Sequence, residues 1–468
     1  MFPGQGAYLP GALAPLAEDE PLVRETLRVL DRAAGRVGRS APSRLLLDED
    51  APSLAELVVT SPADLHVALF AAEMALFRLL TERHGLRPTV LIGHSFGELV
   101  ALTAAGVYGL DDGMALVAAR DDAFAECPPG EGGMVALAVS ASRAAGLLTG
   151  LGEWEVTLAA DNGPRQCVVS GPAASLERVR AAAETLGIGA TRLRVPYAFH
   201  HRMLAGVADA FARRAAGLRT GQPRHVLHSA ILGRRLDGPD GVADLVAAHL
   251  VRPTRFTGAV RRLHADGVDL FVECGPRGVL SDLVAATVPG VRVVAPLRRR
   301  VGGRAVADAL AGAGPGALPG AVVSLPPPES DPAPLPRASR VDGGGGSGSG
   351  LGAGVEAGGD GGDGGDGEDG VDDREAVVET LRSLYATALG YPPEVLTEDA
   401  DLEADLGVDS IKQTELFARA AARYGRVLPA EGSRLTSYTT LDALAGLLAT
   451  LPAQNTGARG AGPREVPA

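Results

Sequence analysis

Residues Val90–Glu98 read Val-Leu-Ile-Gly-His-Ser-Phe-Gly-Glu, and this stretch decides the fold class of the first part of the chain. An apolar run typical of a buried strand precedes Gly-x-Ser-x-Gly, and a helical stretch follows. The two glycines permit the tight turn that lifts a serine hydroxyl above a sheet, beside the N-terminus of a helix. There, backbone N–H groups and the helix dipole can stabilise an oxyanion. The pattern predicts that Ser95 is a nucleophile on a strand–turn–helix elbow, with an accidental match as the alternative.

Strand-like and helical segments alternate over residues 1–300, which is typical of an α/β domain with a mostly parallel sheet. Short apolar runs at 270–272 and 291–294 predict two late strands. Residues 131–195 have an order of their own, β-α-β-β-α-β, which is that of a small ferredoxin-like subdomain. The sequence therefore predicts an α/β core with an inserted ferredoxin-like subdomain.

The composition changes after residue 300. Residues 301–373 are rich first in proline and then in glycine and aspartate, and such a segment cannot bury a core. We expect a disordered linker there and a disordered tail at 453–468. Residues 374–452 contain segments with helical spacing and predict a separate all-α helical bundle. Ser410 begins one of these segments, where a serine is often only an N-cap.

Charge and cysteine content argue against several classes of protein. The 468 residues carry a net charge of -13, so the basic surface of a nucleic-acid-binding protein is absent. Cys127, Cys167 and Cys274 show neither metal-ligand nor disulfide spacing, which favours a reducing cytoplasm and no metal site. No apolar run approaches the ~20 residues of a membrane span, and no signal peptide is visible. We expect a cytoplasmic protein with no nucleic-acid or membrane partner.

Six segments, in order along residues 1–300, resemble the malonyl-CoA-type acyltransferases of polyketide and fatty-acid synthases. They are Phe-Pro-Gly-Gln-Gly at 2–6, Gly-His-Ser-Phe-Gly-Glu at 93–98, Ala-Ala-Arg at 118–120, Asn-Gly-Pro at 162–164 with Val-Val-Ser-Gly at 168–171, Tyr-Ala-Phe-His at 197–200, and Phe-Val-Glu-Cys-Gly-Pro at 271–276. Their ordered occurrence is more specific than any one motif. The resemblance implies a parallel-sheet, hydrolase-like core that transfers an acyl group from coenzyme A to a carrier protein. Family members usually have an apolar strand before the first motif, and here only Met1 precedes it, so a truncated start and a shortened strand are both open.

The resemblance implies a role for each matching residue. Ser95 would be the nucleophile and His200 its general base, since a serine needs an adjacent base and a histidine titrates near neutrality. The backbone N–H groups of Gln5 and Phe96 would form the oxyanion hole. Arg120 would bind the free carboxylate of a malonyl-type group, because a guanidinium can hold a carboxylate through two bonds.

The resemblance also implies that a backbone carbonyl near Arg252 orients the base.

The other histidines next to or outside these motifs have different expected roles. His201 is the alternative to His200, and the motif register favours His200. We expect His94 to pack at the elbow and to border the substrate. The others are expected to be surface or packing residues: His66, which lies where the family often has glutamine, His84, His225, His228, His249 and His264.

Two positions bear on the choice of acyl group. Tyr197 to His200 is a hybrid of the patterns linked to malonyl and to methylmalonyl selection. Phe199 would crowd an α-methyl group. Phe96, directly after the serine, resembles enzymes of polyunsaturated-fatty-acid and enediyne synthases. Malonyl-CoA is therefore the expected donor, with methylmalonyl-CoA as the alternative.

The segment Leu-Gly-Val-Asp-Ser-Ile at 406–411 resembles the phosphopantetheine site of acyl carrier proteins. The resemblance implies that Ser410 carries a covalent 4'-phosphopantetheine, attached by a phosphopantetheinyl transferase. Its phosphodiester would lie at the positive end of a helix.

Together these features predict an acyltransferase–carrier protein of polyketide biosynthesis. A malonyl group would pass through Ser95 to a carrier thiol, on Ser410 or on another acyl carrier protein. A ketosynthase and other synthase components would act in trans. One rival is a thioester hydrolase that clears misloaded carriers, which a carboxylate-binding Arg120 disfavours. The other is a non-catalytic carrier scaffold, which the intact set of Ser95, His200 and Gln5 disfavours.

Overall fold

The computed structural model describes residues 1–236, 238–312, 374–389, 402, 410–426 and 440–452. The α-helices are α1 (Ala14–Asp19), α2 (Pro21–Arg36), α3 (Ser43–Leu46), α4 (Leu54–Thr60), α5 (Pro62–Arg78), α6 (Gly97–Ala104), α7 (Leu110–Glu126), α8 (Ala141–Leu151), α9 (Ala173–Thr185), α10 (Ala205–Ala215), α11 (Gly238–Ala248), α12 (Phe256–Ala265), α13 (Val279–Thr287), α14 (Gly303–Gly312), α15 (Arg374–Leu389), α16 (Ser410–Arg423) and α17 (Leu441–Thr450). The strands are β1 (Leu91–Ile92), β2 (Gly132–Leu137), β3 (Thr157–Gly163), β4 (Gln166–Pro172), β5 (Ala190–Arg192), β6 (Leu227–Ser229), β7 (Arg234–Arg235), β8 (Leu270–Val272) and β9 (Arg292–Val294).

The core sheet is mainly parallel and lies directly below Ser95. Strand β1 pairs in parallel with β6, β6 pairs antiparallel with β7, and β8 pairs in parallel with β9. The first two residues join these groups: Phe2 N–H donates to Ile92 O at 2.9 Å, and Cys274 N–H donates to Met1 O at 2.8 Å. These bonds connect the strands into one layer and bring the N-terminal motif beside the elbow. The predicted α/β core is confirmed.

The two glycines of the elbow, Gly93 and Gly97, lie so close to neighbouring backbone atoms that no other residue fits at either position. A Cβ at Gly93 would lie 2.3 Å from the backbone nitrogen of Glu98, and one at Gly97 would lie 2.0 Å from the backbone oxygen of Phe2. Neither distance leaves room for a side chain. Ser95 between them has a φ of 52°, the left-handed conformation of a nucleophile elbow.

The helices around the elbow form the main apolar core. Helix α6 is buried along its whole length, and α5 is buried on nearly all sides. Helix α5 packs against α2, α6 and α7. A helix that is apolar on all sides lies inside a domain rather than on its surface. This core holds the elbow and α7 in fixed relative positions.

The elements from β2 to β5 form the ferredoxin-like subdomain, and its predicted limits, 131–195, stay a prediction. Strands β2 to β5 and helices α8 and α9 follow the order β-α-β-β-α-β. The sheet is antiparallel with the order β3-β4-β2-β5, the arrangement of a split β-α-β unit. The subdomain has its own apolar core, and it joins the main domain where Asp161 N–H donates to Thr254 O at 2.9 Å.

One correction concerns the start of the linker. The prediction placed disordered chain from residue 301, but α14 (Gly303–Gly312) packs on the main domain. Val306 and Leu310 are buried in the main core, and Gly303 N–H donates to Asp19 Oδ2 at 3.0 Å. The apolar residues lie four apart on one helix face, a weak signal in a segment rich in glycine and alanine. The rest of the predicted linker, and the tail at 453–468, lie outside the described residues.

Helices α15, α16 and α17 form a second core, separate from the first, as the predicted all-α bundle requires. Its buried members are mostly apolar and come from all three helices, among them Leu381, Tyr385, Phe417 and Leu444. Ser410 is the first residue of α16, and its side chain lies outside the described part of the chain. The exact domain boundaries stay a prediction.

Among the helices that the structure describes, none combines the length and the apolar character needed to cross a membrane.

Candidate active site

Ser95 and His200 meet above the sheet, as the motifs predict. Ser95 Oγ lies 2.7 Å from His200 Nε2, and His200 Nδ1 lies 2.8 Å from the backbone oxygen of Arg252. A carbonyl oxygen can only accept, so Nδ1 carries the proton and donates, and Nε2 faces the serine as an acceptor. His200 also has a positive φ, 60°. A serine hydroxyl, an accepting ring nitrogen and a carbonyl that orients the ring are the parts that an activated serine requires.

The environment keeps His200 neutral. Its pKa is lowered to about 4, mainly by burial; the bond to the Arg252 oxygen opposes this shift, and the neighbouring His94 and the positive charge of Arg120 add to it. A histidine with this pKa is unprotonated at neutral pH. Its Nε2 is therefore free to accept the proton of Ser95 Oγ.

The predicted oxyanion-hole residues, Gln5 and Phe96, both stand at the start of a helical segment. Gln5 is the first residue of a short 3-10 helix, and Phe96 precedes the first residue of α6. At such positions backbone N–H groups have no partner within their own helix and can point at a ligand. A Cβ at Gly4 would lie 3.2 Å from His94 O and 3.9 Å from Ser95 Cβ, which shows how close the two segments come.

Arg120 on α7 is buried, with 3% of its surface exposed. Its guanidinium carbon lies 5.8, 5.6 and 5.3 Å from the ring centroids of Phe96, Phe124 and Phe199. One polar contact is present: Nη1 donates to Asp121 Oδ1 at 3.3 Å. Within the described part of the chain, Arg120 Nε has no partner. A buried guanidinium with open donors is suited to an incoming carboxylate, which would satisfy both its charge and its N–H groups.

The predicted specificity residues form an aromatic cluster around this arginine. Tyr197 stacks on Phe124 with 4.6 Å between ring centroids, and Phe199 packs edge-on against Phe124 at 5.6 Å. Phe124 was not among the residues predicted from sequence. Its position four residues after Arg120 on the same helix places both on one face, and this spacing could have identified it.

His94 has a structural contact. Its Nε2 lies 2.7 Å from Asn162 Oδ1, and its ring packs edge-on against Phe256 at 5.4 Å. The contact with Asn162 joins the elbow to the ferredoxin-like subdomain, and the contact with Phe256 joins it to α12, as a packing role requires. The predicted contact of His94 with substrate stays a prediction.

His66, which was expected to be a surface or packing residue, makes polar contacts with Asp121 and Gln5. It is buried on α5; its Nδ1 lies 2.7 Å from Asp121 Oδ1 and its Nε2 contacts the side-chain amide nitrogen of Gln5. Its ring stacks on Phe96 at 5.3 Å. The sequence pattern could not reveal this, because a helix that is apolar on all sides does not indicate which face a single histidine occupies.

Comparison with protein families supports the resemblance. A model for the acyl transferase domain matches residues 1–312, and a model for the phosphopantetheine attachment site matches residues 379–448. The spectinabilin polyketide synthase system protein NorB of Streptomyces orinoci is 38% identical over 286 residues, which are 60% of this chain and 13% of NorB. Polyketide synthase GfsA of Streptomyces halstedii is 37% identical over 288 residues, 60% of this chain and 4% of GfsA. The chain thus spans a small part of the length of these relatives.

Solved structures agree with this relationship. The acyltransferase domain of the second module of the salinomycin polyketide synthase superimposes with a TM-score of 0.58 at 34% identity, covering 67% of this chain and 72% of that domain chain. The malonyl-CoA:acyl carrier protein transacylase (FabD) of Xanthomonas oryzae pv. oryzae gives 0.56 at 32% identity, covering 63% and 92%. Because the acyl transferase model spans more than half of the chain, this protein belongs to the acyl transferase family and carries a phosphopantetheine attachment domain after its acyltransferase domain.

Proposed function

We propose that this chain moves a malonyl group from coenzyme A, through an ester on Ser95, to a phosphopantetheine thiol. The acceptor is the carrier domain of this chain or a partner acyl carrier protein. A ketosynthase and further synthase components would use the loaded carrier, and a phosphopantetheinyl transferase would prepare it. The observation that carries the proposal is the distance of 2.7 Å between Ser95 Oγ and the neutral His200 Nε2, beside a buried arginine with open donors.

In the first half-reaction, His200 Nε2 takes the proton of Ser95 as Oγ attacks the thioester carbonyl carbon. The negative charge that develops on the carbonyl oxygen is met by the backbone N–H groups of Gln5 and Phe96. The carbon–sulfur bond then breaks, and His200 returns the proton to the departing sulfur of coenzyme A. A malonyl ester remains on Ser95, and His200 is neutral again.

In the second half-reaction, the same residues act in reverse. The phosphopantetheine arm supplies the acceptor thiol. His200 takes the proton of the attacking thiol and passes it to Ser95 Oγ as the ester bond breaks. The attachment domain indicates that the group is covalently bound, and Ser410 fits it: its hydroxyl can form the phosphodiester, at the first residue of a 14-residue helix.

Arg120 contributes in two ways. Its guanidinium would hold the free carboxylate of the malonyl group while the thioester lies at Ser95. Its positive charge also lowers the pKa of His200 in the empty site. A bound carboxylate offsets that charge, so the pKa of His200 rises when the correct substrate is present and the histidine becomes a stronger base.

Phe199 supports malonyl over methylmalonyl selection. It is 7% exposed, and it packs edge-on against the stacked rings of Phe124 and Tyr197 at ring-centroid distances of 5.6 and 6.0 Å. The α-carbon of the substrate must pass between Arg120 and Ser95, next to this ring. Because the ring packs against this stack and the guanidinium carbon of Arg120 lies 5.3 Å from its centroid, it cannot move aside for an α-methyl group without disturbing its neighbours.

The proposal is tested by intact-mass spectrometry of the phosphopantetheinylated protein with equal amounts of malonyl-, methylmalonyl- and acetyl-CoA. We expect the malonyl adduct on Ser410 to dominate and to disappear in Ser95→Ala. In Ser410→Ala, the malonyl group should remain on Ser95. Rapid loss of acyl-Ser95 to water without an acceptor would favour the hydrolase, and absence of any acyl-enzyme would favour the scaffold. A dominant methylmalonyl adduct would overturn the proposed role of Phe199.

The pH dependence of acylation follows from His200. Because burial lowers its pKa to about 4, the base stays neutral as the pH falls through 6.5 and becomes protonated only near pH 4. The second-order rate constant for acyl-Ser95 formation, measured by rapid quench with malonyl-CoA below saturation, reports the free enzyme and should be flat from about pH 5 to 8 and fall below that range. A decline centred near 6.5, the ordinary pKa of histidine, would contradict the neutral, buried base.

A further inference from the structure

We propose that Asp121 and His66 form a positioning pair that connects the carboxylate-binding Arg120 to the oxyanion-hole residue Gln5, an inference that rests on the proposed malonyl transfer. The pair sets how strongly Arg120 attracts a carboxylate, and it holds Gln5 in place. Neither residue touches the reacting atoms.

A continuous chain of contacts supports the pair. Arg120 Nη1 donates to Asp121 Oδ1 at 3.3 Å, and the same oxygen lies 2.7 Å from His66 Nδ1. His66 Nε2 then contacts the side-chain nitrogen of Gln5. The side chains of Arg120, Asp121 and His66 are 3%, 11% and 5% exposed. These interactions are therefore largely shielded from water, where polar contacts are stronger than at a surface.

The chemistry of each atom fixes the direction of the bonds. A carboxylate only accepts, so His66 Nδ1 carries a proton and donates it to Asp121. In the neutral ring, Nε2 is then an acceptor, which is what the amide N–H of Gln5 requires. His66 thereby orients Gln5, whose backbone N–H is proposed for the oxyanion hole. The stacking of His66 on Phe96 at 5.3 Å places the same ring against the other proposed oxyanion residue.

Asp121 offsets the positive charge of Arg120 but does not bind all the N–H groups of its guanidinium. The two residues are consecutive on α7, where side chains diverge by about 100°, so they cannot form a paired, two-bond contact. A single bond forms, and Arg120 Nε stays open. The nearby negative charge repels an incoming carboxylate. Asp121 therefore weakens binding of the malonyl donor, while His66 retains Asp121 when Arg120 turns to the substrate.

The charge of Asp121 is tested by Asp121→Asn, which keeps an oxygen that accepts from His66. Binding is measured by calorimetry in a Ser95→Ala background, where no ester forms. We expect malonyl-CoA to bind roughly tenfold more tightly after this change, the order expected from removing a like charge a few ångströms away. Acetyl-CoA, which has no free carboxylate, should bind as before. Equal or weaker malonyl-CoA binding would overturn the role of Asp121.

The link to Gln5 is tested by His66→Leu and His66→Gln with Ser95 intact. Leucine removes both bonds and should lower kcat roughly 10- to 100-fold for malonyl and acetyl donors alike, with little change in KM, because the oxyanion hole serves both. Glutamine can donate to Asp121 and accept from Gln5, so it should restore most of kcat. Equal kcat in all three proteins, or a glutamine variant as slow as the leucine variant, would overturn the link.

These outcomes separate the two proposals. If wild-type protein forms acyl-Ser95 but the variants behave as wild type, the positioning pair is wrong and the transfer function stands. If wild-type protein forms no acyl-Ser95, the proposed transfer fails and the pair loses its basis. Thermal melts of each variant check the fold, and the binding comparison on Asp121→Asn stands if His66→Leu does not fold.

Discussion

Ser95→Ala and His200→Ala should each lower the rate of malonyl transfer by about 10⁴-fold or more, and the double variant should be no slower than the worse single variant. Ser95 Oγ is a weak nucleophile until His200 Nε2, 2.7 Å away, accepts its proton. Either substitution removes the same step, so the effects cannot add. The measurement is transfer of labelled malonyl from coenzyme A to a phosphopantetheinylated carrier protein.

The neighbouring His201→Ala is the matched control. His201 Nε2 accepts no serine proton; it lies 2.9 Å from the backbone oxygen of Glu155, and its Nδ1 accepts from Met203 N–H at 3.2 Å. It therefore has structural contacts only, and its loss should slow transfer less than about tenfold while lowering stability by roughly 1 kcal/mol or more. A folded His201→Ala variant as inactive as His200→Ala would reverse the assignment of the base.

Sequence reasoning succeeded where a residue's role depends on local geometry. The elbow needs glycine on both sides of Ser95, and the distances at Gly93 and Gly97 show why. The subdomain at 131–195 was predictable because each of its elements has a clear apolar period. The pairing of Ser95 with His200 was accessible only through the resemblance, since 105 positions separate them and no local pattern brings them together.

Sequence reasoning failed where the role of a residue depends on which side chains meet inside the core. His66 lies on a helix that is apolar on all sides, so helical periodicity does not assign it a direction. Asp121 is next to Arg120 in the chain, and consecutive helical residues normally face different surroundings. Their meeting depends on how α5 and α7 pack, which the pattern of a single helix does not contain. Phe124 is different, because its spacing from Arg120 was a usable signal.

Arg120→Ala should reverse the preference for the acyl donor. Loss of a buried, charge-assisted contact typically costs about 2–5 kcal/mol, so kcat/KM for malonyl-CoA should fall roughly 30- to 5,000-fold. For acetyl-CoA, the wild-type protein must leave the guanidinium without a carboxylate among three aromatic rings. Alanine removes that penalty, and kcat/KM for acetyl-CoA should stay equal or rise. Both donors are compared in the same transfer assay.

Arg120→Lys separates charge from geometry. Lysine keeps the positive charge but cannot form two parallel bonds to a carboxylate, so we expect an intermediate loss of roughly tenfold with malonyl-CoA. The pH profile adds an independent readout. The charge of Arg120 lowers the pKa of His200, so its removal in Arg120→Ala should raise that pKa and move the acidic decline to higher pH, while lysine should leave it nearly in place. Equal losses with malonyl- and acetyl-CoA would mean that Arg120 supports the fold of the site rather than the carboxylate.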